Sequence, residues 1–367
     1  MSRFARAARL STLVAILGLA LHAHEAAAAG PRPLPRNVHC GPDPAPIPNF
    51  VPAKSTYRPA PKYPSTAENV WSEGWVVLNH TVAADGSVRD ISVTDALGPP
   101  EFVARTKQAF ARWKFDPATR NGKPVDQYGM EFIAQFIMED MGPREAVHSS
   151  FVRRYNAARR LVADKKFAEA AAELDRGMSL RLNLYEVAMA SFLYAVVHAH
   201  QGDRHQALVH IRRATINGGE YLEKAVRTDA FALRIQLETE DGNFKEAICA
   251  HETLLEVNPA GNAAAAKLIE KIVAGLNNPA PLAVEAELSA NAASDVPPNW
   301  WHPLLRSRFH FDQIQGEAKS FRLVCVATVL EAAVDPEMEW TVPEAAGECS
   351  LRVEGTPGTK FRLIEEW

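Results

Sequence analysis

Apolar and polar residues alternate through GWVVLNHTV, Gly74–Val82, which puts Val76, Leu78, His80 and Val82 on one face. A period of two is the mark of a half-buried strand. AADGS follows, and its Asp85-Gly86 pair is a strong hairpin signal. VRDISV, Val88–Val93, reads as the returning strand. The period then changes to helical in GPPEFVARTKQAFARW, where Phe102, Thr106, Ala109 and Trp113 recur on one side behind an opening Pro-Pro. FARWKFDPATRNGKPV turns a corner through Pro117, Asn121-Gly122 and Pro124, and YGMEFIAQFIM, Tyr128–Met138, has strand character. The expected order is hairpin, helix, strand: a compact α+β unit over 63–140.

Residues 145–277 are alanine-rich and helical in period. KKFAEAAAELDRG, GDRHQALVHIRRA and GNFKEAICAHETLLEVNP each place a polar turn before an alanine and a helix. The alanines Ala170, Ala207 and Ala247 are spaced by 37 and 40 residues. Small residues at such positions let paired helices approach, and stacked pairs are expected because one pair cannot bury its own face. From 278 the pattern breaks into short runs bounded by Pro and Gly, such as RSRFHFDQI, SFRLVCVATVL, CSLRVEG and KFRLIEEW. These predict a small antiparallel β domain over 278–367.

The N-terminus adds a compartment. Arg3, Arg6 and Arg9 precede the apolar run Leu10–Leu21, and Ala27-x-Ala29 follows. That is the layout of a cleaved export signal over 1–29, too short for a membrane-spanning helix. The segment Pro31–Pro64 contains 11 prolines. It is expected to be an extended, semi-rigid linker (30–62), since proline supplies no N–H donor and fixes φ. The formal net charge of −4 shows no basic excess, so nucleic acid is not an expected partner.

The order Tyr63-Pro64, Ala67, Gly74, Val76, Val82, Asp85-Gly86, Val93, Trp113-Lys114-Phe115, Pro117-Ala118 and Asn121-Gly122-Lys123-Pro124-Val125 resembles the TonB-type C-terminal domain. The resemblance implies a domain that grips extended segments of outer-membrane receptors by adding a strand to its sheet edge. In complete TonB proteins that domain also transmits energy from an inner-membrane motor. Two departures stand out: His80 occupies an apolar strand position, and a long hydrophobic anchor is missing. GDRHQAL and GNFKEAI, with Pro259 closing LEVNP, are similar to tetratricopeptide repeats, which implies a concave surface for proteins or peptides.

Catalytic motifs are not evident: there is no His-Glu-x-x-His, Gly-x-Ser-x-Gly, phosphate-binding Gly-Lys-Ser/Thr or Cys-x-x-Cys pattern. His198, His200, His205 and His210 are spaced by two and five, which does not align them on one helix face. No metal or cofactor is expected. His80 is expected to be a hydrogen-bonded core histidine. Trp300-Trp301 is expected to pack between the repeats and the β domain. Four cysteines in an exported chain allow three full pairings. Cys325 and Cys349, in neighbouring strand-like runs, are the expected disulfide, worth about 3 kcal/mol by loop entropy. Cys249 is expected to be a buried free thiol and Cys40 unpaired or intermolecular, while a Cys40–Cys249 bond has no support in the spacing.

The expectation is therefore a non-enzymatic periplasmic interaction protein: a TonB-like α+β domain, a helical-repeat array and a small antiparallel β domain. The expected partner-binding strand presents Tyr128, Met130, Phe132, Ala134 and Phe136, with protein or peptide partners, outer-membrane receptors among them. An uncleaved N-terminus instead gives an inner-membrane-anchored energy transducer facing the periplasm. A hydrolase or metal enzyme with a dispersed site is the rival from another class.

Overall fold

Asp85-Gly86 makes the first corner, and it needs glycine. Gly86 has φ +80°, and a Cβ there would lie 2.1 Å from the Phe115 carbonyl oxygen. The computed structural model describes residues 38–40, 47–68, 72–138, 147–178, 182–290 and 295–367. The expected export signal and much of the Pro-rich approach lie outside these described residues.

The first unit contains β1 (Phe50–Val51), β2 (Lys54–Tyr57), α1 (Ser65–Glu68), β3 (Gly74–Val82), β4 (Val88–Leu97) and α2 (Pro100–Phe110). It continues with β5 (Lys114–Asp116), β6 (Ala118–Arg120), β7 (Lys123–Val125) and β8 (Gln127–Phe136). Its main sheet is antiparallel, in the order β4-β3-β8. The expected hairpin, helix and strand are all present. Asn121 and Gly122 both have positive φ, 50° and 74°, as the two-residue loop of the β6–β7 hairpin. That matches the primed turn their identities favour.

The Pro-rich approach is more than a spacer. Phe50 and Val51 pair with Arg120 and Thr119, and β2 pairs with β5. Upstream, Val38 is buried in the core of the last helix pair, and Cys40 is bonded to Cys249 across a separation of 209 residues. This corrects two expectations: Cys249 is not a free thiol, and Cys40 is neither unpaired nor intermolecular. Prolines exclude a strand interior but leave the stretch AKSTY free to pair at an edge.

The helical array is α3 (Ser149–Ala163), α4 (Phe167–Met178), α5 (Leu184–Gln201), α6 (Arg204–Ala214), α7 (Ile216–Gly219), α8 (Lys224–Glu240), α9 (Phe244–Val257) and α10 (Ala263–Leu276). The pairs α3–α4, α5–α6 and α8–α9 pack antiparallel about tight turns, with Lys165, Gly202 and Gly242 at positive φ. Ala170, Ala207 and Ala247 are wholly buried on the second helix of each pair. Asn183 caps α5 in a capping box with Glu186, and Asp203 caps α6. No helix among the described residues is long and apolar enough to cross a membrane.

The last unit holds β9 (Leu282–Glu287), β10 (Asn299–Pro303), β11 (Arg308–Gln315), β12 (Ala318–Cys325), β13 (Thr328–Ala333), β14 (Glu339–Thr341), β15 (Cys349–Gly355) and β16 (Lys360–Glu366). They form two four-stranded antiparallel sheets, β10-β15-β12-β13 and β14-β11-β16-β9. Phe309, Phe311, Phe321, Phe361, Leu351 and Leu363 fill the space between them. Cys325 and Cys349 are cross-strand neighbours and are bonded. Trp300 stacks on His302 inside this sandwich, its rings 5.0 Å apart, rather than against the repeats.

The first unit and the array share a core. Trp75 belongs to the array's apolar cluster, with Val77, Leu97, Ile133 and Ile137 packed beside it. Glu73 accepts from the Met138 and Leu184 N–H groups, both at 2.9 Å. Arg213 forms two hydrogen bonds to Asp95, at 3.1 and 2.6 Å.

Candidate functional site: the outer edge of a three-stranded sheet

QYGMEFIAQF places apolar residues on both faces of β8, interrupted on one of them by Glu131 and Gln135. Met130, Phe132, Ala134 and Phe136 pack toward α2, in the cluster that holds Val76, Leu78, Phe102 and Phe110. Ile133, on the opposite face, packs against the array. Four of the five residues expected to present themselves to a partner thus have their side chains in or against the sheet–helix core. Tyr128 donates its hydroxyl hydrogen to Asp126 at 3.1 Å. What the strand has left to offer along its rim is backbone.

FARWKF builds the support behind it. Trp113 stacks on Phe110, centroids 3.9 Å apart, and stands edge-on to Phe132 at 4.8 Å. Its indole N–H donates to the Pro59 carbonyl at 3.1 Å, and Arg58 lies over its ring at 4.6 Å. The corner after α2 therefore locks the Pro-rich approach onto the back of β8.

His80 lies in this same core, its ring edge-on to Phe110 at 5.3 Å. Burial lowers its pKa to about 4, Arg58 adds to that, and the Met130 backbone opposes it. Neither ring nitrogen makes a hydrogen bond of good geometry. The expected core location holds, but its polar atoms are not satisfied as expected: aromatic rings surround them.

The two edges of the sheet differ. On β4, the Val93 N–H donates to the Asp295 carboxylate at 2.7 Å, and the Asp295 N–H returns a bond to the Val93 carbonyl at 3.1 Å. Lys107 holds Asp295 in place at 2.6 Å. β4 is therefore blocked midway. β8 pairs with β3 on one side and has no strand partner on the other among the described residues. The Tyr128 N–H donates to the Val326 carbonyl at 3.2 Å, closing the first rung only. Gly129 follows with φ +67°, and a Cβ there would stand 3.2 Å from Val324. At the far end, Gln135 donates to the Tyr221 hydroxyl at 2.7 Å.

The histidines read as scattered come partly together: His198 and His210 stack at 5.4 Å across the α5–α6 pair, with Tyr194 4.6 Å from His210. Burial, Arg213 and His198 hold His210 down to about 3. Sequence reasoning missed the blocked β4 edge, since Asp295 is 202 residues from Val93. It also missed β1 and β2, for which the alternation in KSTY was a faint signal.

With this geometry in place, the likeness to known proteins can be located. Residues 59–136 match the family model described as Gram-negative bacterial TonB protein C-terminal. Protein TonB of Pseudomonas aeruginosa is 35% identical over 65 residues, which are 18% of this chain and 19% of that protein. The chain thus spans less than a fifth of that relative's length. The solution NMR structure of Pseudomonas aeruginosa TonB CTD is 30% identical, covering 24% of this chain and 88% of that chain, at a TM-score of 0.22. The region that builds the β4-β3-β8 sheet is thus the one that matches the TonB C-terminal family model, and the rest of the chain lies outside the match.

Proposed function

We propose that this chain is a periplasmic protein-interaction module that captures an extended partner segment by adding it as a strand to β8. One observation carries the reading. The sheet packs on α2 with one face and on the array with the other, and its β4 edge is blocked midway, which among the described residues leaves the β8 rim beyond Gly129 without a strand partner. Main-chain hydrogen bonds then supply affinity, and side chains of the incoming segment supply specificity. The TonB-family region supports a protein-binding rather than enzymatic role. Segments of outer-membrane receptors are the partner class this likeness favours. The array and sandwich act as the scaffold that holds the sheet at a fixed angle.

The test compares Phe132→Pro with Phe132→Leu, using receptor-derived periplasmic peptides as probes. Proline removes a backbone N–H and restricts φ, whereas leucine keeps both and preserves apolar volume. Capture is expected to fall at least about tenfold with proline and to persist with leucine. Circular dichroism checks that both variants are folded. Unchanged capture in folded Phe132→Pro protein refutes strand addition at β8.

A further inference from the structure

The strand-addition reading leaves open which segment the rim selects, and the groove beside β8 bears on that. Alternate residues of a strand share a face. Glu131 therefore lies on the side of Ile133 and Gln135, both of which touch the array. It is the only charged residue in β8.

Across from it is a polar patch on α6, α8 and α9. Arg212 donates twice to the buried carboxylate of Glu238, at 2.8 and 2.6 Å. Arg234 bonds Glu246 at 3.3 Å. Burial raises the carboxyl pKa of Asp241, the remaining acid of the patch, and Arg212 is the main group opposing it. The arginines are thus each matched by an acid.

Glu131 has no such match. Among the described residues its carboxylate makes no hydrogen bond or ion pair, its backbone pairing with β3 aside, and the residue is exposed. The surrounding protein and Glu246 push its carboxyl above the usual carboxylate range, and Arg234 and Arg212 pull it back.

The two ends of the rim set a length. Val326 takes the Tyr128 rung and Val324 crowds Gly129, so an added strand can start no earlier than Met130. The strand ends at Phe136, which leaves a seven-residue rim. At ~3.3 Å per residue this is roughly 23 Å.

We propose that the rim from Met130 to Phe136 selects a short extended segment carrying a basic side chain on its array-facing side, where it pairs with Glu131. The inference rests on strand addition at β8 and adds the charge and length of the segment. An acidic side chain at the same place meets Glu131 and Glu246 and is rejected, because specificity is a difference of affinities.

The experiment uses the full chain and three acetylated, amidated seven-residue peptides of alternating Thr and Val, fluorescein-labelled, with Lys, Gln or Glu at the centre. Binding is read by fluorescence anisotropy at low and high salt. The Lys peptide is expected to bind about fivefold more tightly than the Gln peptide, as for a partly exposed ion pair. The Glu peptide is expected to bind most weakly. Glu131→Gln should bring the three together, and Glu131→Lys should reverse their order. Equal affinities in the unaltered protein, or a preference surviving in Glu131→Gln, overturn the charge assignment and leave strand addition standing. Failure of all three peptides to bind overturns both.

Discussion

The three-stranded sheet of the TonB-family region and the sheets of the C-terminal sandwich are all antiparallel, yet they solve burial in opposite ways. Each sandwich sheet hides one face in a shared aromatic core and turns the other to solvent. That outer face carries ion pairs such as Arg322–Glu331 and Arg352–Glu354, each at 3.0 Å. Of the four edge strands, β9 carries Glu285 and Glu287, β13 carries Glu331, β14 has three residues, and β10 has five and ends in Pro303. Charged and short edges discourage pairing with other chains. The β4-β3-β8 sheet packs one face on α2 and the other on the array, with Glu131 left exposed between them. Its outer strand runs ten residues with one charge. A sheet with a solvated face has side chains to offer a partner, whereas a sheet packed on both faces has mainly its rim.

The sharpest way to break this contrast is at Trp75, 1% exposed and shared between sheet and array. Trp75→Ala should destabilise by about 3–5 kcal/mol through the lost transfer energy and the cavity left behind. Urea unfolding followed by far-UV circular dichroism and by labels placed in each unit should show sheet and array melting together. Separate transitions in the unaltered protein would mean that the two do not share one core.

A somewhat smaller effect belongs to pH. The unfolded chain takes a proton on His80 near pH 6.5, and the folded chain only near 4. Stability from this group is therefore constant above about pH 6.5 and falls as pH drops from 6.5 toward 4. The linkage is worth up to about 3 kcal/mol. His80→Leu should flatten that limb of the stability–pH curve.

The smallest change is expected at the seam. Asp95→Asn removes the charge that Arg213 meets, a pair about one-fifth exposed on each side. The loss should be about 1 kcal/mol and should shrink in high salt. An equal loss at all salt concentrations would point to packing around Trp75, whose indole N–H also reaches Asp95 at 3.2 Å.

Much of the architecture was legible where local chemistry decides it. Asp85-Gly86 and Asn121-Gly122 announce their turns because positive φ is written into their residue types. Ala170, Ala207 and Ala247 announce the helix pairs because only a small side chain fits between close helices. The Cys325–Cys349 pair was legible because both residues sit in adjacent strand-like runs. What was hidden depends on contacts far apart in sequence. The Cys40–Cys249 bond, the Asp295 block on β4 and the Trp75 seam join elements that no local pattern relates. The site was half legible: β8 could be read as a strand, but not that Phe132, Ala134 and Phe136 turn inward and leave backbone at the rim.

The Cys40–Cys249 bond has a mechanical consequence. Tension on the chain ahead of Cys40 passes covalently into α9 and spreads through the array. That covalent path bypasses the few rungs that hold β1 and β2, so they take less of the shear. The sheet is held from behind, by the body it is packed against, so a pull arriving along the amino end leaves the geometry of the β8 rim undistorted.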